Sequence, residues 1–176
     1  TFSVPLQLNA TITGGLSGQN SLYQNVEYTT RTQTTTTTVT LPTAVPGAQF
    51  TVFDVDYAAN DFADKLTITG SYNGSPVTPV LANGATNYVF GDVAIGDITA
   101  SDTTNQGNVV ATFSSPVDTI TIVYGNHNTA PADPDGQAIA INDFTFCNPQ
   151  TSLSVTKIST VLSDGVSASN PKAIPG

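Results

Sequence analysis

The amino-acid sequence predicts an all-β protein: an antiparallel, jelly-roll-like β-sandwich with a C-terminal extension strand. Three observations lead there. No stretch of a dozen residues keeps apolar positions at helical spacing, because β-branched residues and Gly or Pro interrupt every candidate. Short runs rich in Val, Ile, Thr, Phe and Tyr recur between polar turns, several with strict two-residue alternation. Charged residues make up only 10% of the chain, so its polarity is carried by Thr, Ser, Asn and Gly, a balance that suits β-structure outside the cell.

The runs are taken in order. "FSVPLQL" over 2–8 reads as a strand at the very start. "TTTTVTL" over 35–41 belongs to a Thr-rich tract at 29–40 and reads as an edge or surface strand, both faces partly wet, since Thr is a good strand former. In "QFTVFDV" over 49–55, Phe50, Val52 and Val55 flank a pattern that breaks near Asp54. "KLTITGSY" over 65–72 alternates Leu66 and Ile68 with threonines, and "DTITIVYG" over 118–125 does the same with Ile120, Ile122 and Tyr124. "TNYVFG" over 86–91 and "NVVATFS" over 108–114 are shorter candidates. "QAIAINDFTF" over 137–146 changes phase at its Asn-Asp step, which predicts a bulge beside Asp143. After Cys147 the character shifts, so residues 1–148 are read as the sandwich domain and 149–176 as a linker plus one strand, "SLSVTKIST" over 152–160.

Composition excludes several functions. A net charge of -9, from 13 acidic against 4 basic residues scattered singly, argues against nucleic acid as a partner. No apolar run is long enough to span a bilayer. The first residues already look like a strand, so any leader is expected to have been removed. A lone cysteine, Cys147, rules out an internal disulfide within these residues and leaves a buried inert thiol, or a bond to another chain or to a further part of the protein.

The candidate metal ligands are Asp54, Asp56, Asp61 and Asp64, with Asp143 joining if the last strand neighbours theirs. Calcium is the candidate cofactor, because hard cations collect loop carboxylates. The spacing is not that of an EF-hand, which would need a Gly and a terminal Glu. A solvated hairpin end is the competing reading. The long loop "NHNTAPADPDGQ" offers His127, Asp133 and Asp135 as ligand-binding candidates, and Tyr72, Tyr88 and Tyr124 a possible stacking face. No nucleophile elbow or acid–base pair can be assembled, and one His with one Cys cannot build a zinc site. An enzyme is therefore not expected.

Two resemblances bear on function. The tail "LSVTKISTVLSDGVSASNPKAIPG" resembles the opening of an immunoglobulin-like repeat of unknown function strung along bacterial surface proteins. The body, from "FTVFDVDYAANDFADKLTITGSYNGSPVTP" through "VVATFSSPVDTITIVYGN" to "GQAIAINDFTF", is similar to secreted bacterial lectin-like jelly-roll domains. Together they imply a non-catalytic extracellular module, secreted or displayed on a bacterial surface. The leading expectation is a filament subunit whose tail, through Leu153, Val155, Ile158 and Val161, adds as a strand to another copy. The alternative is a calcium-assisted adhesin that binds surface glycans.

Overall fold

A computed structural model of the chain describes residues 2–3 and 6–148. The expected linker and extension strand, with Leu153, Val155, Ile158 and Val161, lie outside the described residues. The first sheet holds β1 (Phe2–Ser3), β2 (Gln7–Asn9), β3 (Ser21–Glu27), β5 (Gln49–Phe53), β9 (Val80–Ala82), β12 (Val109–Thr112) and β14 (Gly136–Thr145). The second holds β4 (Thr34–Val45), β6 (Tyr57–Ala58), β7 (Phe62–Tyr72), β8 (Ser75–Val77), β10 (Asn87–Phe90), β11 (Val93–Gly96) and β13 (Val117–Asn126). Every strand pair is antiparallel. Among the described residues no helix is long and apolar enough to cross a membrane.

Setting aside the short strands, the first sheet reads β3-β14-β5-β12 and the second β4-β13-β7-β11. The chain changes sheet at every step between these eight strands except from β7 to β11. That order is the double Greek key of a jelly roll, so the expected sandwich is the observed one.

Alternation explains why the two sheets face each other. Leu66, Ile68, Ile120, Ile122 and Tyr124 point inward from β7 and β13 and meet Phe50, Val52, Val109, Ala111, Ile139 and Ile141 from the first sheet, all of them buried. Each fully buried aliphatic or aromatic side chain contributes about 1.5–3 kcal/mol, so this layer is the main source of stability. Phe113 reaches across the layer beneath Gly70, where an added Cβ would stand 2.5 Å from its ring.

The bulge expected beside Asp143 is present: the register of β14 against β5 shifts between Asn142 and Thr145. The break near Asp54 is also real, because β5 ends at Phe53 and Asp54 takes a left-handed backbone with φ +67°. Asp tolerates that region better than most residues. β3 is missing from the sequence reading for a physical reason. Its core-facing positions are Leu22, Gln24 and Val26, with Ser21 also buried, so a glutamine interrupts the apolar face in the middle of the strand.

Candidate functional site

The four carboxylates that open on β5 do not form one site. Tyr57–Ala58 and β7 make a tight hairpin whose turn is closed by the Asp61 N–H on the Ala58 carbonyl, 3.1 Å, with Asn60 left-handed at φ +64°. Asp61 sits in that turn, half-buried. Asp143 is displaced for a reason of register. Ala140 pairs with Phe53 while Asn142 pairs with Thr51, so Asp143 runs away from Asp54 and lies exposed near Gln49. Four residues of strand put it roughly 13 Å beyond the Asp54 end.

Asp64 is a buried structural acid. It is 0% exposed and accepts three hydrogen bonds: from the Tyr124 hydroxyl at 2.8 Å, the Gln137 amide at 2.8 Å and the Asp56 N–H at 3.1 Å. Gln137 in turn accepts from Asn126, whose side-chain oxygen accepts the Ala63 N–H at 3.0 Å. Tyr28 closes the group by donating to the Tyr124 carbonyl at 2.7 Å. Burial, and next the charge of Asp56, push the Asp64 carboxyl well above the usual range. A network this satisfied locks the sheets in register.

Asp54 and Asp56 lie close enough for their charges to act on one another and on Asp64, and Asp102, which sequence spacing did not suggest, adds its charge to both. Burial raises Asp54 to about 7, with the charges of Asp56 and then Asp102 adding to it. Burial raises Asp56 to about 6 and Asp102 adds to this, although the Ala100 N–H bonds its carboxylate at 2.6 Å. Gly96 makes the packing possible, since a Cβ there would stand 1.8 Å from the Asp56 carbonyl oxygen. Among the described residues no three carboxylate, imidazole or thiol groups are arranged to hold a metal ion. Calcium needs six to eight oxygens, so Asp54, Asp56 and Asp102 would have to be completed by carbonyls and water.

The loop candidates separate as well. Asp133 and Asp135 are exposed, and Asp135 is held by its N–H on the Asp61 carbonyl, 3.1 Å. His127 is half-buried, its N–H on the Ala63 carbonyl at 2.8 Å and Nδ1 3.0 Å from the Thr129 hydroxyl. Arg31, passed over in the sequence as an isolated charge, pins this loop. Its Nη1 donates to the carbonyls of Asn128 at 2.9 Å and Ala130 at 2.8 Å, and its N–H to that of Ala132 at 3.0 Å. Nothing in local spacing links position 31 to position 130.

The tyrosines do not share a stacking face. Tyr124 is core, whereas Tyr72 and Tyr88 are each 43% exposed. Tyr88 pairs with Ile95, which pairs with Lys65 at the opposite end of β7 from Tyr72, roughly 23 Å away along the strand. Cys147 is exposed, which overturns the buried-thiol reading. No family model, no curated protein and no solved structure matches this chain.

Proposed function

We propose that this protein is a non-catalytic, extracellular structural or adhesive subunit that assembles by adding a strand of one copy to the β4 edge of the next. The observation that carries the reading is β4 itself. It spans 12 residues and pairs with β13 from Val45 to Thr34, and no strand among the described residues lies along its other side. Its inward side chains Thr35, Thr37, Val39 and Leu41 stay only half-buried. A strand laid beside β4 would satisfy the free backbone groups and cover that flank. Pro42 within β4 fits an edge position, where a missing N–H costs nothing. Residues 152–160 of a second copy, with Leu153 and Val155 on one face, are the proposed donor.

The test is light scattering with negative-stain imaging of the full chain, beside Val155→Asp and Val39→Lys variants. Fibres or oligomers that both substitutions abolish support strand addition. A monomer at every concentration sinks it.

A second reading, calcium-assisted glycan adhesion, is favoured by Asp54 and Asp56, two neighbouring carboxyls raised by burial without a basic group among the causes of their shifts. Saturating calcium should then raise the melting temperature, and Asp56→Ala should remove the rise. No shift would dispose of the metal.

A further inference from the structure

We infer that the cleft between the start of β4 and the 127–135 loop, on the outer face of the second sheet, binds a carboxylate-bearing sugar residue. The cleft has a volume of about 480 Å³, within the range of small-ligand sites. In a chain of net charge -9, it is lined by both basic residues of the described region, Arg31 and Lys65, together with the sole histidine, His127. No Asp or Glu is among its lining residues.

The fold builds this convergence. Lys65 and Thr67 on β7 alternate with the core residues Leu66 and Ile68, so they face outward. Gly125 pairs with Lys65 on one side and Thr34 on the other, giving a row across three strands whose middle position has no side chain. A Cβ at Gly125 would meet the Gln33 carbonyl oxygen at 2.8 Å and the Thr34 methyl at 2.9 Å. Glycine therefore lets the segment carrying Arg31 settle against the sheet. Arg31 is fixed through Nη1 to two loop carbonyls, leaving Nε and Nη2 as oriented donors for an anion. Lys65 stands close enough to His127 that its charge, after burial, lowers the imidazole pKa.

The remaining lining chooses the ligand class. Thr32, Thr34 and Thr67 present hydroxyls and Asn128 an amide around the apolar Val123, while no Phe, Tyr or Trp lines the cleft. Two cations beside a wall of threonine hydroxyls and methyls and of Val123 suit a carboxylate carried on a polyhydroxylated ring, whose C–H face can lie on the apolar part. A bare inorganic anion would use little of this volume, and phosphate sites more often rely on converging backbone N–H groups. The inference does not rest on strand addition: it concerns the outer face of the sheet, and the cleft meets the β4 edge only at Thr34.

The single histidine supplies the assay. The His127 imidazole signals of the full chain are followed by NMR while galacturonate, galactose, inorganic phosphate and a short peptide with a free C-terminal carboxylate are added separately. The expected result is a saturable shift with galacturonate and none with galactose. Lys65→Gln, at an exposed position, should weaken the galacturonate response roughly tenfold without moving the melting temperature. No saturable shift, an equal shift with galactose, tighter binding of phosphate or of the peptide, or an unchanged response in Lys65→Gln would each overturn the inference.

Discussion

Raising the pH from 4 to 8 should destabilise this protein, and Asp54→Asn should remove much of the loss. Asp54 rises from an ordinary 3.8 to about 7 and Asp56 to about 6. A carboxyl raised in the folded state holds its proton there at pH values where the unfolded chain has released it. Its contribution is present below about pH 4 and is lost as pH climbs through the folded value. At face value the Asp54 shift corresponds to about 4 kcal/mol, and to about 2 kcal/mol after discounting for the half-exposed setting of the group. Asp64 acts in the same direction. Asparagine keeps the shape and tolerates φ +67°, so the substitution tests charge and not backbone. It also relieves Asp54's own repulsion with Asp56 and Asp102. The assay is urea unfolding at pH 4, 5, 6, 7 and 8, comparing midpoints at constant slope. A wild-type midpoint that rises or stays flat over this range would refute the reasoning, as would an Asp54→Asn variant that keeps the full decline.

Further outcomes follow from single contacts. Tyr124→Phe removes a buried donor to Asp64 and should cost about 1–3 kcal/mol in chemical denaturation. Gln24→Leu should stabilise by about 1 kcal/mol in the same assay, because the Gln24 amide nitrogen is buried without a partner and its oxygen meets Thr37 only at 3.5 Å. Gly70→Ala drives a methyl into the Phe113 ring and should lose about 1–3 kcal/mol. Ile122→Ala, in the centre of the core layer, should lose about 2–5 kcal/mol and lower the melting temperature accordingly.

Strands whose inward faces are apolar were legible along the chain, and strands built on other logic were not. The alternations around Leu66, Ile120 and Ile139 led directly to β7, β13 and β14, and the phase slip at Asn142 and Asp143 located the bulge. β3 stayed hidden because Gln24 occupies a core position, and β11 because four residues are too few to show a period. The acidic stretch after β5 was visible as a cluster, but its division was not. Asp64 turns into the core, Asp61 caps a hairpin, and Asp54 and Asp56 feel the charge of Asp102.

By itself, then, the sequence determined the class: period-two patterning with β-branched residues cannot bury an apolar face except by packing one sheet on another. It also pointed to an edge or surface strand within the Thr-rich tract 29–40, since threonines on both faces leave both partly wet, and β4 does end its sheet. Tertiary structure alone decided which charges meet. Arg31, Lys65 and His127 are far apart in the chain and carry no local pattern, yet jelly-roll crossovers put β4, β7 and β13 side by side and bring them to one cleft. Local sequence encodes which way a side chain faces, whereas proximity between distant side chains is a property of strand order and register.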